Sequence, residues 1–156
     1  MSINQQMRDI GEKSVKASEE IKQISTESKN NLLIRMAGQI EKDKQLIVNA
    51  NQKDVLKAEG SISLSMIDRL MLNEDRIESI IKSVNDIVKL KDPTGIVINS
   101  NTRPNGMIVE RVSVPIGVIG IIYESRPNVT VDASVLCLKA GNSVILRGGS
   151  ESQNSS

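Results

Sequence analysis

PIGVIGIIYESRPNVTVDASVLCLKAGNSVILR, residues 115–147, decides the fold class. The run IGVIGIIY is apolar almost without interruption. A strand with one wet face would alternate, so this run suits a strand covered on both faces, as in a parallel sheet. SVILR gives the same signal further on. Between them, VTVDASVLCLKAGN reads as a helix closed by Gly141 and Asn142. Residues 116–147 therefore form one strand–helix–strand unit, whose strands end at Tyr123 and Leu146 and lie parallel, with the helix on one face.

Open parallel sheets bind ligands outside the carboxyl ends of their strands. The first strand opens into Glu124, Ser125, Arg126, Pro127 and Asn128, and the second into Arg147, Gly148, Gly149, Ser150 and Glu151. Both clusters leave the sheet at the same edge. The glycines allow close backbone approach. Ser150 is placed to cap a following helix, whose free N–H groups would face an anion. Arg126 and Arg147 carry donors suited to phosphate or carboxylate. Gly, Ser and Asn are also ordinary turn residues, so it is the sheet-edge rule that singles these positions out. No G-x-G-x-x-G follows a strand, GVIG lies inside one, and no Walker lysine loop is present.

The chain's single cysteine, Cys137, sits in VLCLK among apolar neighbours. It lies near the C-terminal end of the helix, where the dipole disfavours a thiolate, and reads as a small buried hydrophobe. The six methionines are scattered and read as core filler.

Upstream, GIVINS and MIVERVSV flank NTRPNG, whose Asn105-Gly106 signals a tight turn. An antiparallel hairpin is expected over about 95–114. Everything before it reads as helix. Met7, Ile10, Val15, Ile21 and Ile24 are sparse apolar positions on a solvated first helix. Ser25 or Thr26 caps a second, with Leu33, Met36, Ala37 and Ile40 at helical spacing. Leu46, Ile47, Ala50, Val55, Leu56 and Ala58 continue that pattern to Gly60. A helical turn in LSMIDRLML follows, where Asp68 and Arg69 read as an ordinary ion pair. Asn73 then caps a helix striped by Ile77, Ile80, Ile81, Val84, Ile87 and Val88 and stopped by Pro93. The expected class is α/β: a helical N-terminal region over 1–92, a β-hairpin over 93–115, and the start of a Rossmann-like parallel sheet over 116–156.

Composition excludes several functions. The chain has 156 residues, one domain's length, with 20 basic and 19 acidic residues. That balance gives no footprint for nucleic acid, and Tyr123 is the only aromatic, so no base-stacking surface is expected. No apolar run is long enough for a membrane span, and the N-terminus lacks the layout of a secretory signal. One cysteine fits a reducing cytoplasm. With no histidine, imidazole catalysis and His metal sites are excluded within these residues.

The run RPNGMIVERVSVPIGVIGIIYESRPNVTVDASVLCLKAGNSVILRGGSES, with SMIDRLMLNEDRIESI and DPTGIVINSNTRPNG upstream, closely resembles the γ-glutamyl phosphate reductases of the aldehyde dehydrogenase superfamily. The resemblance covers essentially the whole chain, less distinctively over the first sixty residues. It implies NADPH-dependent reduction of L-glutamyl 5-phosphate to L-glutamate 5-semialdehyde and phosphate, with NADP+ as the other product, in L-proline biosynthesis. A cysteine thiolate displaces phosphate to form a thioester, and hydride transfer gives the aldehyde. Family members are more than twice this length, and their catalytic cysteine aligns beyond Ser156. The chain is therefore expected to be an N-terminal fragment, inactive alone, with an incomplete sheet.

By the same resemblance, Tyr123, Glu124, Ser125, Arg126, Arg147, Gly148, Gly149, Ser150 and Glu151 are expected to bind the cofactor. Asn128 is the match for an oxyanion-stabilising asparagine, in a loop whose spacing departs from the superfamily's. Arg147 stands where the superfamily has a ribose-binding lysine, and Ser150 where it has an acidic residue. Both suit the 2′-phosphate of NADPH. The hairpin resembles oligomerisation strands, which implies a homo-oligomer for the intact protein. A non-catalytic interaction module and another aldehyde dehydrogenase relative stay open as alternatives.

Overall fold

The computed structural model describes residues 2–156. Five helices come first: α1 (Ile3–Ile21), α2 (Thr26–Lys42), α3 (Lys44–Ala58), α4 (Leu64–Leu70) and α5 (Glu74–Lys89). Strands β1 (Val97–Thr102), β2 (Ile108–Val112) and β3 (Val118–Ile122) follow, then α6 (Pro127–Lys139), β4 (Ser143–Arg147) and a 3-10 turn at Ser150–Ser152. Ser2, Ser25, Ser63 and Asn73 cap α1, α2, α4 and α5, each accepting from a backbone N–H three residues on. These side chains satisfy donors that the first helical turn leaves free.

The core lies between α2, α5 and α6. Leu33, Ala37, Val84, Ile87 and Val135 are buried together, with Met36, Ile81, Val88, Val131 and Leu138 packed around them. The α5 stripe read from sequence supplies much of this contact.

The helical pattern after Ile40 behaves differently from its reading. The chain breaks at Asp43, and α3 turns Leu46 and Leu56 to solvent, each 68% exposed. Its buried face carries Val48, Asn51, Asp54 and Ala58 instead. The polar members are there to satisfy backbone. Asn51 donates from Nδ2 to the Leu70 carbonyl (2.8 Å) and accepts at Oδ1 from the Leu72 N–H (2.6 Å). The Asp54 carboxylate accepts from the Asn154 and Ser155 N–H groups, from Asn154 Nδ2 and from Ser155 Oγ, all within 3.1 Å. An apolar stripe could not hold those segments.

β1 and β2 form the expected antiparallel hairpin, exposed along both strands, with Gly106 at φ +84° in its turn. β3 and β4 pair in parallel, Val118 with Ser143 through Ile122 with Arg147. They are not covered on both faces as their apolarity suggests. Ile122 is 87% exposed, as is Ile116 just upstream at 83%. Within the described residues this sheet has two strands, and α1 and α6 cover only part of it. Docking of α1 is partly polar: Ser143 Oγ donates to the Ser14 carbonyl (2.8 Å).

Two lysines are buried at the seam of this core. Lys29 Nζ lies 2.5 Å from Asp92 Oδ2 and donates to Thr94 Oγ1. Lys139 Nζ donates to Asn30 Oδ1 (2.7 Å) and the Val88 carbonyl (2.9 Å). Burial alone would raise the Asp92 carboxyl. Hydrogen bonds from Lys29, the Thr94 amide and the Thr26 and Thr94 hydroxyls outweigh it and hold the group well below the usual carboxylate range. Burial lowers the Lys139 ammonium from its ordinary value.

The depressed Asp92 value means that the ionised carboxylate favours the fold. Its contribution is complete above the ordinary value of 3.8 and is lost as pH falls below it. Asp92→Asn is expected to cost about 3 kcal/mol at neutral pH and to flatten the acid-side loss of stability, as urea melts between about pH 5 and pH 2 would read. Asp54→Ala, which strips the acceptor from residues 154 and 155, is expected to cost about 1–3 kcal/mol in the same assay.

Candidate functional site at the sheet edge

The pairing of Ile122 with Arg147 brings both strand ends to one place, and the Tyr123 N–H donates to the Arg147 carbonyl (3.1 Å). Register is set at the other end of the strands, where Gly141 (φ +73°) closes α6 and Asn142 Oδ1 accepts from the Gly117 N–H (2.8 Å).

At the edge the two loops are stitched together. Ser125 Oγ donates to the Glu151 carboxylate. That bond, then the Glu151 backbone and Ser150, hold the Glu151 carboxyl below its ordinary value. A Cβ at Gly149 would lie 2.0 Å from Ser125 Oγ and 3.1 Å from the Ser125 nitrogen, so only glycine passes here. A Cβ at Gly148 would lie 3.2 Å from the Tyr123 hydroxyl, which bonds Thr130 Oγ1 across 2.7 Å. Tyr123, Ser125, Gly148, Gly149 and Glu151 are thus one packed cluster.

Beside it, Arg147, Gly148, Gly149, Ser150, Ser152 and Gln153 line a cavity of about 340 Å³. The Arg147 guanidinium bends back to donate to the Gly148 carbonyl. Ser150 departs from its reading. It opens a three-residue 3-10 turn with no side-chain cap, and its hydroxyl donates to Glu151 Oε1 (3.1 Å). The segment after β4 is held down by Asp54, which accepts from the Asn154 and Ser155 N–H groups.

The remaining expected residues turn the other way. Arg126 and Asn128 line a second cavity, of about 390 Å³, between the start of α6 and the α4–α5 corner. Glu124 bridges toward it, its carboxylate 3.5 Å from Arg69 Nη1 and 3.3 Å from Arg126 Nη2. Asp68 and Arg69 therefore do not pair with each other: Asp68 pairs with Arg76 at 2.7 Å, and Arg76 also donates to the Met71 carbonyl. Asn128 Nδ2 donates to Asp132 (3.2 Å), a residue the sequence reading did not single out. Asp132 lies one helical turn after Asn128 and carries no turn or strand-end signal, whereas Arg69 and Arg76 lie far in sequence from the sheet-edge loops and reach them only through packing of the α4–α5 corner against the start of α6.

Cys137 is 6% exposed, and burial pushes its thiol up. It lies in the helix between the loops and faces neither cavity's lining. Among the described residues no group of three His, Cys, Asp or Glu is arranged for a metal.

The fold is shared with known proteins. The γ-glutamyl phosphate reductase of Carboxydothermus hydrogenoformans is 50% identical over 148 residues, 94% of this chain and 36% of that protein. The solved γ-glutamyl phosphate reductase of Thermotoga maritima superposes with a TM-score of 0.88 at 46% identity, covering 92% of this chain and 35% of that one. The chain is homologous to γ-glutamyl phosphate reductase. It spans about a third of the length of these reductases and matches their N-terminal part. A probable aldehyde dehydrogenase of Listeria monocytogenes superposes at 0.69 with 16% identity over 97% of the chain, a likeness of fold. No protein-family model matches the chain. The expected resemblance to the γ-glutamyl phosphate reductases and the α/β class are borne out.

Gly149→Ala is expected to cost about 1–3 kcal/mol by overpacking against Ser125. The double variant with Ser125→Ala should recover part of that loss, because the clashing oxygen is gone while the backbone contact stays. Denaturant melts of the two single variants and the double variant read the coupling.

Proposed function

We propose that this chain forms the N-terminal helices and the first cofactor-binding edge of an NADPH-dependent reductase. The reaction is the conversion of L-glutamyl 5-phosphate to L-glutamate 5-semialdehyde and phosphate in L-proline biosynthesis. The observation that carries it is the 50% identity to a named reductase over nearly the whole chain, joined to a sheet edge built from both strand-end loops. In this reading residues 1–92 and 116–156 belong to the cofactor domain. The hairpin over 93–115, with Val97, Ile98 and Ile108 exposed, serves homo-oligomer assembly.

The residues at the 340 Å³ cavity fit a dinucleotide. Arg147 supplies a cation for a phosphate and Ser150 a hydroxyl donor, beside the backbone of Gly148 and Gly149. NADPH, when bound, supplies the hydride. Tyr123, Ser125 and Glu151 shape the wall between the two loops and keep it rigid. Asn128, at the start of α6, is assigned to stabilise the oxyanion that develops at the substrate's carbonyl. The thiol that forms the thioester is not Cys137, which is buried and biased against ionisation.

Fluorescence titration of the purified chain tests the cofactor assignment. Saturable binding tighter for NADPH than NADH is expected, with Arg147→Gln removing about tenfold of that preference. Equal affinity for the two, or none for either, counts against it. Native Cys137 should react with a thiol reagent far more slowly than the urea-unfolded chain, and a fast native reaction would reopen it as a nucleophile.

A further inference from the structure

The second cavity holds charges that the dinucleotide does not explain. It lies between α4, α5 and the start of α6, and it encloses about 390 Å³. Three arginines, Arg69, Arg76 and Arg126, and two aspartates, Asp68 and Asp132, line it with Asn128. They are not equivalent. Arg76 is consumed in structure: it pairs with Asp68 at 2.7 Å and donates to carbonyls of the α4–α5 corner. Arg69 and Arg126 have only one carboxylate between them, that of Glu124, at 3.5 and 3.3 Å. Two cations on one long, exposed carboxylate leave positive charge and guanidinium donors unused. The Nε of Arg126 is buried and has no hydrogen-bond partner among the described residues. A buried donor left unpaired is costly and calls for an acceptor.

Asp132 shows the opposite imbalance. Its carboxylate accepts from the Asn128 amide at 3.2 Å, and no ion pair among the described residues includes it. One cavity thus carries an underused pair of guanidinium groups on one side and an underused carboxylate on another. A phosphate or a simple dicarboxylate would satisfy the first and be repelled by the second. A ligand end bearing both an anionic carboxylate and a cationic ammonium satisfies both.

We propose that this cavity binds the α-amino-acid head group of the glutamyl substrate, its carboxylate on Arg69 and Arg126 and its ammonium on Asp132. The assignment rests on the function proposed above and makes these three residues the determinants of substrate specificity. The reacting end of the substrate then lies toward Asn128 and the sheet edge. The two ligands approach the loop at residues 124–128 from different sides, and the loop separates their cavities.

Calorimetric titration of the purified chain tests this, with L-glutamate as probe. Glutarate lacks the ammonium, 4-aminobutyrate lacks the α-carboxylate, and inorganic phosphate carries neither. L-Glutamate is expected to bind at least about tenfold tighter than each. Asp132→Asn and Arg69→Gln, each checked for an unchanged thermal melt, should each weaken L-glutamate about tenfold and leave NADPH affinity alone. A variant that melts early is replaced by Asp132→Ser or Arg69→Lys. Phosphate or glutarate binding as tightly as L-glutamate, insensitivity to both variants, or no saturable L-glutamate binding overturns the proposal. NADPH titration in parallel separates the two failures: a chain that binds NADPH and ignores L-glutamate sinks this inference alone, whereas one that binds neither counts against the reductase reading itself.

Discussion

Two buried lysines hold the molecule together at a place where charge is expensive. Lys29 of α2 reaches Asp92 beyond the end of α5, and Lys139 of α6 reaches Asn30 of α2 and the Val88 carbonyl of α5. Burying a cation without a partner costs several kcal/mol, so α2, α5 and α6 have few other ways to close on one another. The apolar contacts of Leu33, Val84 and Val135 drive the association and tolerate small slips. The lysine contacts are directional and fix it. Lys139 also occupies the last turn of α6, where the helix dipole favours a cation.

That constraint reaches the sheet edge through α6. With the helix pinned at its C-terminal end, Gly141 and Asn142 turn the chain into β4, and Asn142 locks β3 in register through Gly117. The two strands then end side by side, and their loops meet at Ser125, Gly149 and Glu151. At its other end α6 starts at Pro127 against the α4–α5 corner. One helix therefore positions both cavities. The 124–128 loop serves both because neighbouring residues in it face differently: Ser125 turns to Glu151, while Glu124 and Arg126 turn to Arg69 and to each other. The chain bends at Ser125, where the Arg126 N–H donates back to the Glu124 carbonyl (2.7 Å).

Several features were legible before folding. The α5 stripe, the caps at Ser25 and Asn73, the Asn105-Gly106 turn, the strand–helix–strand unit and the buried character of Cys137 all follow from local pattern. Other features were hidden. The α3 face looked apolar through Leu46 and Leu56, yet it buries Asn51 and Asp54, because their partners are backbone groups from distant segments. The strands read as doubly covered, and in this chain, which spans about a third of its relatives' length, Ile122 lies exposed beside a sheet of two strands. Ser150 looked like a helix cap, but the chain after it is drawn to Asp54.

The sequence by itself determined which elements form, that the two strands are parallel, that their polar ends share an edge and to which enzymes the chain is related. Those properties depend on short-range periodicity, turn chemistry and a long run of resemblance, all read along the chain. Only the tertiary structure decided how the polar residues divide between two cavities. Arg126, expected among the cofactor-binding residues, joined Asn128, Arg69 and Asp132 at the second cavity, and Gly149 proved necessary for a loop-to-loop contact. The physical reason is that charge pairing and steric fit act through space, over a few ångströms, between residues whose separation along the chain carries no information about them.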